Sequence, residues 1–191
     1  MKKKKNPNKQ PVSYRSVDVK QITENAISTM TVASWTCIIG GLLDFPEINS
    51  QTIIQLWNDV NQFSRCVGDE NGRPLSETKM REVEQKIGLQ PITPFDPRNI
   101  RTEGDLQRFI RRTSDQTLRA GFILIVKPLI DAGYSEEFLH TLTNKAYGIY
   151  DAVNRHEMEY HEINEALYDE QGLVLYYEDN SIYLTQAHPK E

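Results

Sequence analysis

The densest group of residues able to do chemistry is His156-Glu157-Met158-Glu159-Tyr160-His161-Glu162, with Glu165 one turn further on. Its histidines are five positions apart, whereas a zinc-protease helix needs them at i and i+4 so that both reach one metal from one face. If the whole stretch is helical, Glu157, His161 and Glu165 share a face that could hold a divalent ion. A solvated turn and helix start, with acids near the positive end of the helix dipole, explains the same residues more simply, and we expect no metal there.

Other groupings are sparser. Asp44 and Asp131 follow apolar runs of the same pattern and could meet as paired carboxylates, although ending an apolar helix in water requires only one acid at each place. Lys2, Lys3, Lys4 and Lys5 open the chain, and there is no acid among the first seventeen residues. Such an arm can contact phosphates by counterion release, or can simply solubilise. Arg108, Arg111, Arg112 and Arg119 fall on a broad helical face opposite Phe109, Thr113 and Thr117, which reads as a basic stripe for nucleic acid or an acidic partner, or as a solvated face that also holds Asp115. Tyrosine is frequent near the end, and Tyr147, Tyr150, Tyr160 and Tyr168 are the expected partner-binding residues, because tyrosine buries area at little entropic cost. Their ordinary alternative is to cover the hairpin. No Gly-rich phosphate loop, nucleophile elbow or Cys/His metal spacing occurs, so an enzyme is the minority reading and no cofactor is expected.

The elements that must position these residues show a repeat. A shift of 87 positions places Asp18 on Asp105, Ala33 on Ala120, Trp35 on Phe122, Ile38 on Ile125, Leu42 on Leu129 and Asp44 on Asp131 without a gap. Apolar falls on apolar and Asp on Asp, the mark of an internal duplication. At an offset of 86, Ser135 takes the place of Asn49 as a helix cap, and Leu139, Leu142 and Ala146 follow Ile53, Leu56 and Val60. At an offset of 84, Leu167 follows Val83, and Gly172-Leu173 follows Gly88-Leu89. The expected fold is therefore mainly all-α: two related three-helix units packed about a pseudo-twofold axis through helices 18–43 and 105–131. The expected divisions are a basic flexible arm (1–15), a first unit (16–92), a second unit (93–173), and a hairpin and tail (174–191). The hairpin is read from Leu173–Tyr177 and Ile182–Leu184 on either side of a polar run, and it must pack on the helices or pair with Leu89–Ile92.

Asn25–Leu43 carries no charge over 19 residues, long enough to span a membrane. Five Ser and Thr and the pair Gly40-Gly41 weaken that reading, and the equivalent stretch of the second copy contains Arg112, Asp115, Arg119 and Lys127. We read it as a buried core helix, with Gly40-Gly41 serving close helix packing. The two cysteines, Cys37 and Cys66, suit buried thiols in a reducing cytosol, and a net charge of −5 argues against nucleic-acid binding by the bulk of the fold.

Lys5-Asn6-Pro7, Pro11-Val12-Ser13, Asp18-Val19, Leu43-Asp44, Leu56-Trp57, Val60-Asn61, Phe63-Ser64 and the Gly88-Leu89 end resemble small uncharacterised proteins carried by bacteriophages and other mobile elements of Gram-positive bacteria. The resemblance covers about the first 92 residues and implies a setting, not an activity. The expected function is a non-enzymatic, cytoplasmic, phage-type binding protein, an adaptor or inhibitor of a host or phage protein. The alternatives are nucleic-acid binding through the arm and the arginine face, and binding of a small molecule such as a nucleotide in a pocket between the units. No membrane partner is expected, and self-association stays open.

Overall fold

The uncharged run forms the most deeply buried helix, α1 (Val19–Leu43). Between Ala33 and Leu42 it is uncharged and, Gly40 apart, buried at every position, as a helix that is surrounded has to be. Cys37, Ile38 and Ile39 are fully enclosed. Gly40 and Gly41 let neighbouring helices approach: a Cβ on Gly40 would lie 2.9 Å from Ile149 Cδ1, and one on Gly41 would lie 3.1 Å from Leu142 Cδ1. By length and composition α1 could cross a membrane, and 56% of its most apolar window is covered by the rest of the chain.

Five further helices follow among the residues that this computed structural model describes, which are 19–65, 77–90, 92–93, 95–178 and 181–187. They are α2 (Ser50–Arg65), α3 (Glu77–Lys86), α4 (Glu103–Asp131), α5 (Glu136–Asn154) and α6 (Tyr160–Gln171). A 3₁₀ turn, Pro97–Asn99, precedes α4. The expected basic arm and Cys66 lie outside the described residues.

Helix starts follow local chemistry. The Thr102 hydroxyl accepts from the Asp105 amide while the Asp105 carboxylate accepts from the Thr102 amide, a reciprocal pair that opens α4. The same Thr102 hydroxyl, with the Arg101 and Thr102 amides, holds the Asp105 carboxyl below its ordinary range. Asn49 Oδ1 accepts from the Thr52 amide at 3.0 Å, and Ser135 Oγ accepts from the Phe138 amide at 3.2 Å, so residues paired by the 86-residue offset make the same cap. Gly88 and Gly172 end α3 and α6 with φ of 73° and 64°, the left-handed conformation that glycine tolerates best. Pro128 sits inside α4, which continues to Asp131.

Burial repeats as well. Trp35 and Phe122, Ile38 and Ile125, Ile39 and Val126, and Leu42 and Leu129 are buried pair by pair, as are Ile53 with Leu139, Leu56 with Leu142 and Val83 with Leu167. The helices interleave: α1 packs along α4, α5 and α6, while α4 packs along α1, α2 and α3. Exchanging first half for second turns the α1–α5 contact into α4–α2 and the α1–α6 contact into α4–α3. A single apolar core results, built from both halves of the chain.

The chain ends in an antiparallel hairpin of β1 (Leu173–Glu178) and β2 (Ser181–Gln186), with Leu175 opposite Leu184, Tyr176 opposite Tyr183 and Glu178 opposite Ser181. The sheet has two strands; Leu89–Gln90 does not join it. Leu173 and Leu175 enter the core beside α6, which supplies the support a lone hairpin lacks.

Candidate functional site

Three of the four expected partner-binding tyrosines serve the core. Tyr147 packs edge-on to Phe122 with ring centroids 4.9 Å apart, and burial pushes its hydroxyl up to about 12. Tyr150 points its hydroxyl at Met30 Sδ, 3.7 Å away. Tyr160 shares a hydrogen bond with the Cys37 thiol, and burial holds the phenol well above its ordinary value. Burial also pushes Cys37 up to about 12, which leaves an inert neutral thiol. Tyr168 alone of the four is exposed.

The arginine face divides in the same way. Arg108, Arg111 and Arg112 lie on the surface, with Arg108 3.6 Å from Asp105. Arg119 is 7% exposed, and its guanidinium meets Glu84 at 3.1 Å, tying α4 to α3. It belongs to the packing of the fold and not to an exposed stripe. Lys2, Lys3, Lys4 and Lys5 lie outside the described residues.

The remaining groupings resolve into local contacts. Asp44 pairs with Lys145 and Asp131 with Lys127, so the two carboxylates each meet a lysine instead of one another. Around His156 the chain turns, with His156 at φ 58°, and α6 starts only at Tyr160, so Glu157 does not share a helical face with His161 and Glu165. Glu159 and Glu162 cap α6 reciprocally, and His161 Nδ1 lies 3.1 Å from Glu159. Among the described residues, no cluster of three or more potential metal ligands forms.

Two features gather from signals that are weak along the chain. The first is an aromatic surface. Among the described residues the exposed large hydrophobic side chains are Ile27, Tyr168, Tyr176, Tyr177 and Tyr183. Tyr176 and Tyr183 face each other across the hairpin and stack, with centroids 5.2 Å apart and planes 19° from parallel. They project from the face opposite the one carrying Leu173 and Leu175, as strand alternation demands.

The second feature is a pocket of about 470 Å³ between α1, α2, α4 and the inner face of the hairpin. Trp35 and Trp57, in contact at 4.5 Å, form one side, and Ala120 and Gly121 form another. Tyr177 reaches over the rim, where its hydroxyl and Ser28 Oγ lie 2.7 Å apart. Among the described residues, every lining side chain is uncharged. The sequence held a trace of it: Ser28, Thr31 and Ser34, which weaken the membrane reading of α1, lie along the pocket side of that helix.

Compared with protein families, curated proteins and solved structures, the chain matches none.

Proposed function

We propose that the chain is a non-enzymatic binding protein, an adaptor or inhibitor of another protein, of the phage-carried kind that its N-terminal half resembles. The observation that carries this reading is the stacked Tyr176–Tyr183 pair, left in solvent at 41% and 40% exposure when three earlier tyrosines are drawn into the core. Burying either ring would favour the fold, so a pair held outward and already ordered by stacking is well suited to a partner's surface. Tyr168 and Tyr177 extend the exposed aromatic set to α6 and to the pocket rim. Rigid tyrosines bring large contact area at small entropic cost, the economy expected of an interface centre. The test compares partner capture by the native chain and by Y176A/Y183A, with melting temperature as the control for folding. Loss of capture with little change in melting supports the reading, and equal capture by both proteins removes it.

A further inference from the structure

The pocket beside Tyr177 has a chemistry of its own, independent of the outward tyrosine pair. Its volume of about 470 Å³ is in the range that holds a small organic ligand. In a chain with 26% charged residues none is found among the described residues of its lining, so a carboxylate, phosphate or ammonium entering it would lose water and find no counter-charge among them. The indole rings of Trp35 and Trp57, with centroids 4.5 Å apart, line the pocket together with Ala120, Gly121, Leu124 and Ile125 of α4. Two adjacent indoles in an aliphatic surround suit a flat ring, which gains from offset or edge contacts with them.

Two hydroxyls of the lining have a definite sense. Thr31 Oγ1 donates its proton to the Ile27 carbonyl at 2.6 Å, and Thr117 Oγ1 donates to the Thr113 carbonyl at 2.9 Å. Each hydroxyl has one proton, so what the two threonines of facing helices present to the pocket is acceptor oxygen. A ligand that satisfies them must bring donors. We propose that this pocket is a binding site for a small, uncharged, flat aromatic molecule bearing an N–H or O–H donor. A phosphate-bearing nucleotide fits it poorly, because its charge would find no counter-charge among the described lining residues.

The chain's two tryptophans are Trp35 and Trp57, so both indole N–H signals in an ¹⁵N-labelled spectrum report on this site and nowhere else. Three probes share one ring system: 2-naphthamide is neutral with a donor, methyl 2-naphthoate is neutral without one, and 2-naphthoate is charged without one. The expected result is saturable movement of both signals by the amide. The ester should bind about fivefold more weakly and the carboxylate at least about tenfold more weakly, the loss of one hydrogen bond and of a desolvated charge respectively. Thr117→Val keeps the shape, removes one of the two acceptors and should narrow the gap between amide and ester. Thr31→Lys, at an exposed rim position, should fold normally and reverse the preference in favour of the carboxylate. Absence of saturable movement with the amide, or equal affinity for all three probes in the native protein, would overturn the proposal.

Discussion

Ser34 Oγ stands where a side chain on Gly121 would begin: a Cβ built at Gly121 falls 2.2 Å from that oxygen. The two residues are 87 positions apart, the offset that relates the halves of the sequence, and they meet where α1 and α4 touch. The contact joins positions that the 87-residue offset aligns. The Ser34 hydroxyl donates to the Met30 carbonyl at 2.6 Å and lies 3.2 Å from that of Leu118, so it stitches the two helices at their closest approach.

Gly121→Ala therefore forces α1 and α4 apart and should cost about 1–3 kcal/mol in urea unfolding, the usual penalty of overpacking. Adding Ser34→Gly vacates the colliding atoms and should recover most of the loss. If Gly121→Ala melts like the native protein, the helices are not in this contact.

Glu84 and Arg119 make the second test of the core. With the side chains 16% and 9% exposed, removal of one partner strands the other in a poorly solvated place. Glu84→Ala should lose on the order of 3 kcal/mol, whereas the double replacement Glu84→Leu with Arg119→Met should lie within about 1 kcal/mol of the native protein. Equal effects of single and double changes would place the pair in water.

Alkaline pH should destabilise the fold. The Cys37 thiol has an ordinary value of 9.0 and is pushed up to about 12 by burial; Tyr147 moves from 10.0 to about 12 for the same reason. Below pH 9 both groups are neutral whether the chain is folded or not, and their full contribution is present. As pH rises from 9 toward 12 the unfolded chain releases protons that the folded chain keeps, so stability falls, by up to about 1.4 kcal/mol per pH unit for the thiol and less for the partly exposed phenol. Unfolding curves at stepped pH check the direction. In a Cys66→Ser background, the native protein should leave Cys37 unmodified by a disulfide reagent at pH 8, and the unfolded protein should react. A native thiol that reacts at the unfolded rate would contradict its burial.

Interleaving predicts mutual dependence of the halves. Because α1 finds its packing on α4, α5 and α6, a fragment ending at residue 93 loses the cover of its most apolar helix. Each half expressed alone should lack cooperative melting, and mixing the two should restore helicity by circular dichroism. Two independently melting halves would show that each closes its own core.

The sequence carried the scaffold well, for physical reasons visible in single residues. Helical periodicity, the Asn49 and Ser135 caps and the Gly88 and Gly172 stops are local signals, and the structure keeps all of them. The site was less legible. Whether a tyrosine faces the core or the solvent depends on what packs above it: Tyr147 and Tyr150 lie on α5 against Phe122 and Met30, residues far away in sequence. Arg119 shares a helical face with Arg108, yet α3 covers one and leaves the other open. The pocket depends on four elements at once, and of its chemistry only the hydroxyls of α1 could be seen along the chain.

The central claim is that an outward tyrosine pair captures another protein. Native mass spectrometry of the gently purified, untagged chain from a Gram-positive bacterial lysate, run beside Y176A/Y183A, tests it most directly. The account predicts a second protein mass bound to the native chain and absent from the variant, while the two melt within about 3 °C of each other, the shift expected for less than 1 kcal/mol. The same protein mass bound equally to both would contradict it.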